Sequence, residues 1–393
     1  MIPLNPTRCV ASALLLTVPG LALGCNVFAV KPVRWERTAA ACPAGSSSEE
    51  WPTAAPADAR LDANPLEEVA ERAGRGELGN LHSILVVRDG RLVFERYFRG
   101  ADQTWSRSAG DVSFDATTLH DLRSVTKSVV GALVGIALGA GLLPGLDAPL
   151  PALLPDYRDR VSHDVQRIQL RHALLMSAGL EWDELSMPYW WPWNDETEMW
   201  RSDDPVGFVL TRPVVAEPGA AFAYNGGLPT VLAAVVEQAS GTTLDHYAAE
   251  SLLCPLGVSA FEWMRHPSGT FIAASGLRLR PRDMARFGWM MLEGGRFGGH
   301  QIVPEDYARA SLARQEDTKS FIAPGYGYQW WVTETGTGDG RRDVPAAIGN
   351  GGQRIFLLTR ERIVVVVTAG MYDSPKQAEG PRRVLEAVLD AVR

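Results

Sequence analysis

The sequence predicts an α/β (α+β) fold: one antiparallel sheet built from both chain ends, flanked by helices, with an inserted, mainly helical lobe. Three observations lead there. Strand-like runs rich in Val, Ile, Leu and aromatic residues lie near residues 81–98, and others return at 326–332, 354–358 and 362–368. Between these two groups the chain reads mostly as helix and turn, the order expected when a lobe interrupts a sheet. At 393 residues the chain exceeds the usual size of a single core, so one large domain with a sizeable insertion, or two domains, is expected.

Taken in order, residues 1–24 read as an export signal. Arg8 supplies positive charge, residues 9–23 are almost continuously apolar, and small residues follow at Gly24-Cys25. The run is too short for a clear membrane span. Leu21-Ala22-Leu23-Gly24-Cys25 is similar to a bacterial lipoprotein cleavage site, although Ala22 stands where leucine is usual. Two outcomes stay open: an N-terminal Cys25 that is lipidated and attaches the protein to a membrane, or a plain signal, cleaved or retained. Either way the expected location is outside the cytoplasm, periplasmic or membrane-anchored. Residues 25–64, rich in Ala, Pro, Ser and Glu without periodicity, read as a linker. Cys42 and Cys254 could pair after export, but the position of Cys42 in a tether argues against it.

Residues 65–393 form the expected domain. A short helix at 65–75 precedes a hairpin at 81–98 that turns at Asp89-Gly90. Then comes Leu122-Arg123-Ser124-Val125-Thr126-Lys127, opening a long apolar run without proline. As a helix, this run places Ser124 and Lys127 one turn apart on the same face, a nucleophile beside a base. A lone S-x-x-K match is weak. Scarcity strengthens it: of four lysines, Lys31, Lys127, Lys319 and Lys376, only Lys127 sits where burial is expected. Burial and the positive end of a helix both push an amine toward its neutral, basic form.

The inserted lobe is expected at about 145–280. It opens with a proline-punctuated connection at 146–157 and a short helix at 168–176. Residues 182–200 carry Trp182, Trp190, Trp191, Trp193 and Trp200 among Asp183, Glu184, Asp195, Glu196 and Glu198. Such a stretch either packs two lobes together or rims a pocket. In the second case, substrates bearing a free amine would be favoured. Helices at 205–210 and 232–240 flank a glycine-rich turn holding Tyr224 and Asn225, and another helix covers 283–293. A final amphipathic helix at 382–392 closes the chain.

Composition excludes several classes. A net charge of −8 gives no basic footprint for nucleic acid. The four cysteines contain no C-x-x-C pair, H-E-x-x-H is absent, and the seven histidines are scattered, so no metal and no cofactor is expected. A G-K-[ST] phosphate loop is missing, and so is the G-x-S-x-G of α/β-hydrolases.

Ser124-x-x-Lys127, Tyr224 after Pro218-Gly219, and Gly349-Asn350-Gly351-Gly352-Gln353 occur in an order that resembles serine hydrolases related to penicillin-binding proteins and class C β-lactamases. The resemblance is nearest to the branch of esterases and 6-aminohexanoate-oligomer hydrolases, and runs over residues 81–393, including Ser275-Gly276-Leu277 and the segment from Arg282 to Gly288. It implies a β-lactamase/transpeptidase-like fold. It further implies that Ser124 is acylated, that Lys127 is its base, and that Tyr224 relays the proton, with Lys127 favouring the phenolate. Backbone N–H groups of Ser124 and Gln353 would hold the oxyanion. Asn225, Asn350, Gly351, Gly352 and Trp191 would line the substrate site. Two departures stand out: Gly226 replaces the usual polar residue two after the tyrosine, and Asn350 replaces the lysine that holds a β-lactam carboxylate, although Arg354 could lie near. The implied activity is therefore an esterase or amidase acting on a small ester, amide or lactam. A lactamase, a D-amino-acid peptidase and an inactive binding relative are the alternatives.

Overall fold

The N-terminal hairpin strand Leu81–Arg88 pairs antiparallel with the last strand, Ile363–Ala369, and this pairing joins the two ends of the chain into one sheet. The computed structural model describes residues 36–38 as backbone, then 42, 51–189, 191–336 and 340–393. Residues 1–24, expected as an export signal, lie outside the described residues, as do Cys25, most of the stretch 25–50 and Trp190. The large sheet has eight antiparallel strands in the order Glu316–Asp317, Gly325–Tyr326, Trp331–Thr335, Arg342–Gly349, Gln353–Leu358, Ile363–Ala369, Leu81–Arg88 and Arg91–Tyr97.

Both faces of this sheet are covered, which is why its central strands read as continuous apolar runs rather than alternations. Leu85, Val87, Ile355, Leu357, Val364 and Val366 face a core shared with the helical lobe. Val86, Phe356, Leu358, Val365 and Val367 face a second core under the helices Ala63–Gly74 and Glu379–Ala391. Each such side chain contributes roughly 1.5–3 kcal/mol on burial. The helix Val125–Gly139 is buried from Val125 to Ala137 without interruption, as expected of a helix that is apolar all round. It is the central rod of the molecule, and Ser124 stands at its N-terminus.

Several elements differ from expectation. Residues 51–64 pack on the domain rather than forming a tether: Trp51 is buried and donates to Gly90 O at 2.7 Å, and Leu61 is fully enclosed. Isolated anchors of this kind leave no periodic signal. Cys42 and Cys254 form a disulfide, so the chain around Cys42 is pinned to the helical lobe rather than loose. The run expected as one strand at 326–332 is broken between Gly325–Tyr326 and Trp331–Thr335. Gln329 takes φ 61° there, and its buried amide donates to Ala173 O and Leu174 O, bonds that a continuous strand would not offer. Arg342–Gly349 is a strand despite Pro345, and the polar hairpin Arg99–Thr104 and Arg107–Ser113 carried no apolar alternation. The helical lobe also contributes Glu262–Arg265 and Leu277–Leu279, which join Glu36–Thr38 and His120–Asp121 in a four-stranded sheet.

Candidate active site

Three side-chain tips meet at the start of the central helix. Arg123 adopts φ 50°, a left-handed conformation that is costly for any residue with a Cβ, and is held there by Asp121 at 3.5 Å and by stacking on Tyr372 at 4.8 Å. The resulting bend delivers Ser124 to the helix terminus, half-buried. One turn later Lys127 Nζ lies 3.1 Å from Ser124 Oγ and donates also to Ala274 O at 3.1 Å. It stands 4.9 Å from the ring centroid of Tyr224. That ring stacks on Trp331 at 5.3 Å.

Burial dominates the electrostatics. Lys127 is 2% exposed, and desolvation pushes its amine below the ordinary lysine value, while the charges of Glu184 and Glu196 oppose that fall. Tyr224 goes the other way from expectation. Burial first, and then the nearby Glu184 charge, push the phenol well above its usual value, so it is a neutral phenol and not a phenolate.

Glu184 and Glu196 are the site residues that sequence reasoning missed. They were read only as part of an acidic, tryptophan-rich stretch, whereas both are buried and turned inward. Glu184 accepts from Trp182 Nε1 at 2.9 Å, from Gly226 N at 2.5 Å and from the Tyr189 hydroxyl at 2.8 Å. Glu196 is raised to about 8, first by burial and then by the neighbouring charge of Glu184. A carboxyl raised that far keeps its proton at neutral pH. It also accounts for Gly226: a Cβ there would stand 2.9 Å from Glu184 Oε2 and 3.0 Å from Glu196 Cδ. The space of the missing polar side chain is filled by the carboxyl pair.

The remaining expected residues are distributed less evenly. Asn225 is buried and its Oδ1 accepts from Gly227 N at 2.8 Å and Leu228 N at 3.1 Å, capping the helix Gly227–Ser240, so its amide oxygen is committed to the fold. Asn350 Nδ2 donates to Asp373 Oδ1 at 2.7 Å, and its oxygen accepts from Asp373 N at 3.0 Å. Gly351 and Gly352 take φ 90° and 102°, the left-handed region that glycine tolerates, in the turn between two sheet strands. Gln353 lies across from Gly349 on the neighbouring strand, with its amide latched to Ala369. The backbone that borders Leu122 and Arg123 is that of Gly349, where a Cβ would meet Leu122 O at 2.4 Å. Arg354 is buried, donating to Gly349 O and Gln353 O at 2.8 Å each. Trp191 is partly exposed and packs edge-on against Trp193 at 5.5 Å on the loop that carries Glu184 inward.

Comparison with known proteins bears on the fold and the family. Over 154 residues the chain is 29% identical to the 6-aminohexanoate-dimer hydrolase of Paenarthrobacter ureafaciens, a match that covers 37% of this chain and 38% of that protein. A family VIII carboxylesterase superposes with a TM-score of 0.64 at 15% identity, covering 84% of this chain and 97% of the other. The penicillin-binding protein homologue from Pyrococcus abyssi gives 0.59 at 18% identity over 83% of this chain and 76% of the other. These two structures share the fold. A family model described as Beta-lactamase matches residues 81–389, from the first hairpin strand to the last helix and including Ser124, Lys127 and Tyr224, and the chain belongs to the Beta-lactamase family.

Proposed function

We propose that the protein is a serine hydrolase that cleaves an ester or amide of a small substrate through an acyl-enzyme at Ser124. The observation that carries this reading is the 3.1 Å approach of a fully buried Lys127 amine to the Ser124 hydroxyl. Lys127 in its neutral form takes the hydroxyl proton as Oγ attacks the carbonyl carbon. The oxyanion is held by the N–H groups of Ser124 and Gln353, the latter paired with Gly349, which borders Arg123. Tyr224, a neutral phenol beside Lys127, protonates the leaving group. Water then attacks the acyl carbon and the same groups return their protons. Ser124→Ala should abolish turnover of a p-nitrophenyl ester, and a fluorophosphonate should label the peptide that contains Ser124. Retained turnover, or a label elsewhere, would reassign the nucleophile.

An esterase or amidase is favoured over a β-lactamase or peptidase because no free cation stands ready for a substrate carboxylate in the third motif. Asn350 is neutral and tied to Asp373, and Arg354 is buried against carbonyl oxygens. A preference for amine-bearing substrates loses its support, since Glu184 and Glu196 face Lys127 rather than an open pocket. Export is supported by the disulfide between Cys42 and Cys254, a bond that persists in oxidising compartments. In the lipoprotein reading, Cys25→Ala should move the protein from the membrane to the soluble fraction; an unchanged distribution would remove lipidation.

A further inference from the structure

Three buried side chains of metal-ligand type, carried by three separate sheets, meet behind the segment that leads into Ser124. His82 comes from Leu81–Arg88 of the large sheet, Asp102 from the hairpin strand Arg99–Thr104, and His120 from the four-stranded sheet. One ligand atom from each lies within 4.8 Å of the other two. Both imidazoles are fully enclosed, and Asp102 is 6% exposed.

The hydrogen bonding is incomplete in a specific way. His82 Nε2 lies 3.1 Å from Ala101 O, and because a carbonyl can only accept, Nε2 carries the proton and Nδ1 presents a bare lone pair. That Nδ1 has no hydrogen-bond partner and sits 3.9 Å from Asp102 Oδ1, which already accepts from the Tyr372 hydroxyl at 2.8 Å. Two acceptors facing each other in a dry interior repel unless a positive centre stands between them. His120 has neither ring nitrogen partnered. Each orphaned buried polar group costs about 1–3 kcal/mol, and here three ring nitrogens are orphaned in one place. Stacking of His82 on Phe114 at 4.0 Å, and of Phe114 on His120 at 4.6 Å, explains why the rings are enclosed but leaves the nitrogens unsatisfied. The arginine nearest to the cluster in charge, Arg278, is neutralised by Asp121 at 2.8 Å and Glu262 at 2.6 Å.

We propose that His82 Nδ1, Asp102 Oδ1 and one ring nitrogen of His120 bind a single divalent transition-metal ion, for which zinc is the best match. Two imidazoles and one carboxylate suit zinc, with water completing the shell. Tetrahedral bonds of about 2.0–2.1 Å set ligand atoms about 3.3 Å apart, so side-chain shifts of roughly 1 Å close the cluster. The outer contacts are already those of a metal site: Ala101 O fixes the His82 tautomer and Tyr372 orients the carboxylate. The ion would cross-link three sheets immediately before Arg123, a stabilising role independent of the reaction proposed at Ser124.

The test uses the full chain, stripped with a chelator, dialysed against zinc chloride or cobalt(II) chloride, and desalted. Elemental analysis should find one zinc per chain, cobalt should give visible d–d absorption of a four-coordinate site, and chelation should lower Tm. His120→Phe, which keeps the aromatic stack, and Asp102→Asn, which keeps the shape, should each bind zinc at least about tenfold more weakly. Wild-type protein that retains no zinc overturns the proposal. So do variants that bind as tightly as wild type, since the ion then sits elsewhere. If His120→Phe does not fold, Asp102→Asn and the cobalt spectrum decide.

Discussion

Protonation state assigns the division of labour among the side chains at Ser124. A phenol pushed well above its usual value is a poor resting base, so in the proposed mechanism Lys127 accepts the proton from Ser124 and Tyr224 gives one to the leaving group. Tyr224→Phe should therefore lower kcat on a methyl ester by roughly 10²-fold while sparing a p-nitrophenyl ester, whose leaving group needs no proton. Equal losses on both would return Tyr224 to a role in general positioning. Glu196 makes a second prediction, about stability. Its carboxyl titrates near 8 in the fold against 4.5 when free, so the folded protein keeps a proton that the unfolded chain sheds. The stabilisation is complete below the free value and is lost as pH rises through the folded one. Across that window Tm of the wild type should fall more steeply than that of Glu196→Gln, as read by calorimetry at stepped pH; parallel curves would contradict a raised Glu196.

Among the elements, the turn between Arg342–Gly349 and Gln353–Leu358 has the clearest consequence for specificity. Its asparagine is paired to Asp373, its glycines are held at positive φ, and the arginine that follows is buried. A substrate carboxylate meets no cation in it. Cephalosporin turnover should therefore be slow beside that of short-chain esters, and a competition assay showing comparable kcat/KM would locate a cation that this turn does not supply. The turn was legible as a glycine-rich motif, but its register was not. Gly349 pairs with Gln353 and borders Leu122 and Arg123, an adjacency set by strand pairing, which is a long-range choice.

Across the whole molecule, the sheet is assembled from chain ends that lie far apart in sequence, and the disulfide joins residues separated by 212 positions. A cross-link over so long a loop restricts the unfolded chain strongly. Cys254→Ser, or reduction, should lower stability by about 2–5 kcal/mol, measured by denaturant titration with and without reductant. No change on reduction would mean that the thiols are unpaired in solution. The sequence reading left this bond aside because Cys42 sits in a composition-biased stretch, where single anchors such as Trp51 and Leu61 have no neighbours to make a pattern.

The sequence by itself determined the sheet from both ends, the buried central helix, and the Ser124-Lys127 pair, because apolar run length and helical spacing are local properties written in consecutive residues. Tyr224 came only through motif order. Charge and contact came only with the tertiary structure: Glu184 and Glu196 turn inward, Glu196 holds its proton, Tyr224 is neutral, the Asn225 side chain accepts from the first N–H groups of a helix, and His82, Asp102 and His120 converge. Desolvation and proximity set those outcomes, and both depend on neighbours brought from distant parts of the chain, which no stretch of residues specifies alone.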